Sequence, residues 1–348
     1  MLKHTLLAAM IALACLGPVA QAADQSTVLT QSQARIIDMA AVQAAIQRGA
    51  IIWDVRSAED FKKGHIPGAV NIGDIGKTLR REVDEDFIPL VEMEKVLSEA
   101  GIDPSREIVV YGDKGSPFAY FGLFTVEYLN GRNARVYHGG IDDWKASGNR
   151  LATGPVKPTP VALNLSINPV VVVNTKDVIA AQKRPDVQIV DARTLAEYKG
   201  EDIRAIRGGH VPGAVNIPYE QNWTDPDTAN KLAKKQVPNK DGMALKPVDK
   251  LKDLYANLDP RMETIVYCQS GVRAAQTATV LKDLGFSNVK VYDASWLGYG
   301  NTLDAPAENM QFFNVGAMNN KLAALQKRLE ALEKALADAK AAEVKPAN

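Results

Sequence analysis

Gly64-His65-Ile66-Pro67-Gly68-Ala69-Val70-Asn71-Ile72 returns later in the chain as Gly209-His210-Val211-Pro212-Gly213-Ala214-Val215-Asn216-Ile217. Nine positions that differ only at Ile66 against Val211 mark an internal duplication. Before each copy runs a short β-branched stretch, Ile51-Ile52-Trp53-Asp54-Val55-Arg56 and Ile189-Val190-Asp191-Ala192-Arg193, then an acidic-aromatic pair, Asp60-Phe61 or Glu197-Tyr198. After each copy come a helical stretch (91–100; 248–258), an apolar strand (108–111; 264–267), a loop, a helix (118–129; 274–284) and a strand ending at Tyr137 or Tyr292. Short β-branched runs alternating with helices give an α/β fold: in each repeat, a parallel sheet flanked by helices.

The 348 residues divide accordingly. We expect a signal peptide over 1–22, a first domain over 23–152, a Pro-containing linker over 153–170, a second domain over 171–308 and a coiled-coil helix over 309–342. Lys+Arg and Asp+Glu balance at 41 each, so no basic excess points to nucleic acid. At the N-terminus Lys3 and His4 precede the apolar run 6–16 and the small residues Ala20-Gln21-Ala22. A charged start, a short apolar core and an A-x-A site predict a cleaved export signal and a periplasmic protein. Lipid anchoring at Cys15 is the weaker alternative, because Ala12 stands where a lipobox has a branched aliphatic.

With Cys15 removed, Cys268 is the sole cysteine of the mature chain. It follows the second domain's buried strand directly, in Cys268-Gln269-Ser270-Gly271-Val272-Arg273. The carboxyl end of a central parallel strand faces the crevice where α/β proteins bind ligands. The next helix offers unpaired N–H groups and a dipole that favour negative charge, which sets a cysteine there up as a thiolate nucleophile. Gly271 lets the loop curl into an anion nest, and Arg273 adds a permanent cation suited to oxyanions.

D-x-R followed by an acidic-aromatic pair, then G-H-x-P-G-A-x-N, then C-x-x-G-x-R at a strand-to-helix turn, resembles the rhodanese family of sulfurtransferases, in the tandem form of the thiosulfate and mercaptopyruvate enzymes. The resemblance covers about residues 35–305. It implies that Cys268 is the nucleophile that carries a sulfane sulfur as persulfide. By the same resemblance Gln269, Ser270, Gly271, Val272 and Arg273 cradle that sulfur and the substrate, with Arg193 reaching the active loop. The expected partners are a small sulfur-containing anion as donor and cyanide or a thiol, a protein thiol included, as acceptor. No cofactor and no metal are expected. Two departures stand out. Gly112 and Pro117 occupy the first domain's places of Cys268 and Arg273, so that domain is expected to support rather than react. Glu197 stands where the thiosulfate enzymes have an arginine, which weakens thiosulfate as the preferred donor.

His65 and His210 recur in both repeats, whether or not a cysteine is present, and so read as folding residues. Arg204 and Arg207 read as surface charge or as contacts for an anionic donor. Residues 221–243, an insertion of the second repeat, read as a surface loop beside its site. Val315, Met318, Leu322, Leu325, Leu329, Leu332 and Leu336 follow a 3-4 spacing, a heptad seam that predicts homo-oligomerisation, with an amphipathic helix folded back on its own domain as the alternative. Two other functions compete. A phosphatase or arsenate reductase would use a C-x5-R loop, one residue longer than this one; a non-enzymatic persulfide carrier or assembly module would load sulfur but turn over slowly.

Overall fold

The computed structural model describes residues 34–343, with side chains to Lys340; the expected signal peptide lies outside the described residues. Strands β1 (Ile36–Ile37), β2 (Ile51–Asp54), β3 (Val70–Asn71), β4 (Ile108–Tyr111) and β5 (Ala134–Tyr137) form a parallel sheet in the order β1-β5-β4-β2-β3. In the second domain β6 (Val172–Val173), β7 (Val187–Asp191), β8 (Arg207–His210), β9 (Val215–Asn216), β10 (Glu263–Tyr267) and β11 (Asn288–Tyr292) follow. Its parallel sheet runs β6-β11-β10-β7-β9, the same order with β8 left out. The central strands β4 and β10 are buried along nearly their whole length, as their unbroken apolar sequences require.

β8 is the extra piece. It pairs antiparallel with β12 (Glu308–Phe312), so residues 309–312 are strand, and the C-terminal helix spans Val315–Glu343. The heptad pattern has no say over these residues, because their partner lies about a hundred positions upstream. Arg207 is not surface charge: it is buried and donates to the carbonyl oxygens of Gly300, Thr302 and Ala305, fastening β8 to the domain's last turn.

The two histidines of the repeat are satisfied structurally. His65 Nδ1 bonds the Phe61 carbonyl at 2.8 Å and stacks on its ring; His210 does the same with Tyr198. Asp191 and Arg193 likewise fix the strand end, paired at 2.6 Å, while the Tyr267 hydroxyl donates a 2.6 Å hydrogen bond to Asp191.

The domains pack through equivalent helices, Pro117–Tyr128 against Val272–Asp283, with one apolar core running through both. At the edges Lys282 meets Glu127 at 2.5 Å and the Asp283 carboxylate accepts from the Arg35 and Ile36 N–H groups. The 221–243 insertion is part of this interface rather than a free loop. The Met243 carbonyl accepts from His138 Nε2, Lys240 reaches Asp142 at 3.1 Å, and the Met243 side chain packs on Gly115, where a Cβ would stand 2.8 Å away. His138, enclosed between Tyr120 and Met243, is pushed down to about 4 chiefly by burial. The second domain thus closes over the first domain's cysteine-free loop.

Arg80 and Asp293 form the most buried interdomain ion pair, at 3.0 Å, with the guanidinium 4.7 Å over the Phe121 ring. Arg80→Ala leaves a carboxylate in the interface without its cation and is expected to cost about 3 kcal/mol of unfolding free energy at pH 8. Burial pushes the Asp293 carboxyl up to about 6. A value raised on folding favours the fold fully below about pH 4, and that contribution is lost as the pH rises through about 6. The Arg80→Ala penalty, read by urea unfolding, is therefore expected to shrink toward pH 5; equal penalties at pH 5 and 8 would remove Asp293 from the explanation.

Candidate active site

Cys268 begins the loop after β10, and the loop is held from behind. Its carbonyl and that of Gln269 accept from the Trp296 and Leu297 N–H groups at 3.0 and 2.9 Å. The N–H groups of Cys268 and Gly271 both donate to Ser295 Oγ at 3.0 Å, and the Ser295 hydroxyl donates in turn to the Tyr292 carbonyl. Ser295 does this from a left-handed backbone, φ +49°, a conformation of appreciable cost outside glycine. Gly271 has φ +80°, and a Cβ there would collide with Asp293 Oδ1, so the turn admits glycine alone without distortion.

With two N–H groups taken by Ser295, and that of Val272 by the Ser270 carbonyl, the cradle is smaller than the sequence implies. Gln269, Ser270 and Arg273 keep backbone donors with no intramolecular partner among the described residues. Arg273 lies in the first turn of the helix, where no intrahelical acceptor exists. These donors, with the helix dipole, can hold an anionic sulfur beside Cys268.

Charge is arranged differently from the sequence expectation. Arg273 is not free for an oxyanion: it makes a two-pronged pair with Glu197, at 2.7 and 2.8 Å. Glu197 also accepts from Thr194 N–H and Oγ, closing a capping box, and from Arg204 at 3.2 Å. Burial opposes its ionisation, but Arg273 prevails and holds its carboxyl down to about 2. Arg273 in turn is raised despite burial, by the bond to Glu197 and by negative charge on nearby Cys268.

Arg193 is placed elsewhere than expected. It is 1 % exposed, its donors go to Asp191 and the Gly209 carbonyl, and its guanidinium lies 4.6 Å over the Trp296 ring. It is absent from the residues that line the cavity at Cys268. Buried hydrogen bonding consumes the side chain that the resemblance assigned to the active loop.

That cavity, of about 770 Å³, lies between the domains. Cys268 (1 % exposed), Gln269, Ser270, Val272 and Arg273 line it with Tyr219 and Arg204, and the first domain adds residues of the segment 74–85 together with Pro117 and Phe118. Ser295 and the first domain's lining escaped sequence reading. Ser295 had a signal: the repeat sets it against Gly140, which shares its positive φ, so the hydroxyl belongs only to the copy with the cysteine.

A family model described as rhodanese-like domain matches residues 38–147 and 174–302, and the chain belongs to the rhodanese family. It is a sulfurtransferase. A thiosulfate sulfurtransferase of Corynebacterium glutamicum is 35% identical over 271 residues, covering 73% of this chain and 84% of the relative. One from Azotobacter vinelandii is 30% identical over 281 residues, covering 78% and 96%. Among solved structures, the 3-mercaptopyruvate sulfurtransferase SseA from Escherichia coli superposes with a TM-score of 0.63 at 25% identity, covering 76% of this chain and 99% of that one.

Proposed function

We propose that this protein moves a sulfur atom from a small anionic donor to cyanide or a thiol through a persulfide on Cys268: the sulfane sulfur of thiosulfate, or the thiol sulfur of a mercaptopyruvate-like acid, whose C–S bond breaks with the electron pair and the thiol proton leaving as pyruvate. The observation that carries this is a lone thiol at a cavity between domains, set in a loop whose carbonyls are turned away and whose free N–H groups remain. The thiolate attacks the outer sulfur of thiosulfate; the S–S bond breaks and its electron pair leaves with sulfite. The loop N–H groups stabilise the terminal sulfur anion of Cys268–S–S⁻. Cyanide then takes that sulfur as thiocyanate and restores the thiolate. The mechanism is expected to give parallel lines in double-reciprocal plots of rate against donor at several cyanide concentrations. Intersecting lines would require both substrates bound at once and contradict it.

The same reading extends to place and assembly. The N-terminal pattern of Lys3, the apolar run and Ala20-Gln21-Ala22 supports export to the periplasm. From Asn314 to Lys340 every residue is exposed, Leu322, Leu325, Leu329, Leu332 and Leu336 by more than half. A one-sided leucine row without cover is costly in water, and a second copy of the helix is the occupant that its 3-4 spacing fits. Arg328 and Glu333 flank the seam at positions suited to interchain pairing. Removing residues 315–348 is expected to turn the oligomer into a monomer, by light scattering, with kcat changed less than about twofold. An intact chain that is already monomeric would sink the assembly reading.

A further inference from the structure

Five cationic side chains line the cavity at Cys268, and three of them, Lys77, Arg80 and Arg81, come from the domain without a cysteine. Four of the five are answered by carboxylates. Arg80 holds Asp293 at 3.0 Å, Arg81 holds Asp84 at 2.5 Å, and Arg204 and Arg273 share Glu197 at 3.2 and 2.7 Å. Lys77 is exposed and has no carboxylate partner among the described residues.

Its position is fixed although its side chain is free. Lys77 sits in the turn Ile75–Thr78, anchored by buried Ile75 and Leu79 and capped by the Asp74 carboxylate, which accepts from Gly76 N–H at 3.0 Å. Gly76 has no room for a Cβ, because the Phe118 ring, also in the cavity lining, lies against it, with its Cζ 3.2 Å from where that atom would stand. Asp74, Glu82 and Glu85 line the same cavity, so its overall potential is mixed and does not by itself draw an anion. A donor's oxyanion must find a local cation with its charge unspent. Arg80 keeps its Nε and Nη2 without partners, but both are buried and its charge is paired with Asp293; with Arg273 committed to Glu197, the exposed cation with no carboxylate of its own is Lys77.

We propose that Lys77, from the first domain, binds the oxyanion of the sulfur donor while the donor's transferable sulfur faces Cys268, making the cysteine-free domain a specificity element. The inference rests on the Cys268 persulfide reading and adds what holds the donor. The oxyanion is either a sulfonate, as in thiosulfate, or a carboxylate, as in mercaptopyruvate, and the two donors form the arms of the test. Lys77→Met is expected to raise KM roughly five- to tenfold for the donor in use, with kcat at saturating donor within about twofold of the parent. Lys77→Arg is expected to restore KM, and added salt to raise the parent's KM more than the Met variant's. A rise with one donor only identifies which oxyanion Lys77 serves. Unchanged KM for both donors, or a fall in kcat alone, overturns the inference and leaves the Cys268 reading intact. If the parent enzyme forms no persulfide with either donor, that reading fails and takes Lys77 with it.

Discussion

Replacing Cys268 with serine is expected to lower thiocyanate formation from thiosulfate and cyanide by at least about 10³-fold. The effect is large because nothing else near the cavity can take over. No second cysteine is present among the described residues, and a hydroxyl neither ionises at neutral pH nor forms a stable bond to sulfane sulfur. The swap is close to isosteric at a site 1 % exposed, so folding is preserved and the loss is chemical. A sharper form adds a cysteine at Gly112, the equivalent place in the first domain. The double variant Cys268→Ser, Gly112→Cys is expected to stay inactive. Gly140 stands in place of the Ser295 hydroxyl, Pro117 in place of Arg273, and Met243 packs over Gly115. Recovery of activity would mean that a thiol at a strand end suffices and that the surrounding hydrogen bonds are incidental.

Glu197→Gln is expected to destabilise the fold by about 3 kcal/mol at pH 7. The basis is a carboxyl 2 % exposed, held down from 4.5 to about 2 by Arg273. A value lowered on folding contributes its stability above the unfolded value and loses it as the pH falls through the folded one. The parent's advantage over the variant, by urea unfolding, is therefore expected to narrow between pH 4.5 and about 2. The amide also frees the Arg273 guanidinium, so thiosulfate KM is expected to fall while stability falls, a combination that simple structural damage does not produce. Equal stability of parent and variant at pH 7 would show the Glu197–Arg273 pair to be energetically idle.

The fold was readable because a duplication writes its boundaries twice. The repeated strand-loop segment, the apolar strands 108–111 and 264–267 and the helices after them fall where their local patterns put them. The loop from Cys268 to Arg273 was readable for the same reason, since strand end, glycine and helix start are neighbours in sequence. What was not readable depends on partners far away along the chain. Arg193 looked available until Trp296 and the Gly209 carbonyl closed around it, and Arg273 until Glu197, 76 positions upstream, met it. Ser295 supports the loop from 27 positions downstream through a left-handed backbone, and only its alignment with Gly140 in the other repeat marks it in the sequence. The insertion 221–243 looked solvated because its composition is polar, yet Lys240 and the Met243 carbonyl at its end reach Asp142 and His138 of the other domain.

The central claim is that Cys268 carries the transferred sulfur. Intact-protein and peptide mass spectrometry after brief exposure to thiosulfate, without reductant, tests it most directly. The expected result is a single gain of about 32 Da, one sulfur atom, on the peptide containing Cys268, removed by cyanide with release of thiocyanate. An unmodified Cys268 peptide after exposure to thiosulfate and to mercaptopyruvate, under conditions where the enzyme turns over, would contradict it.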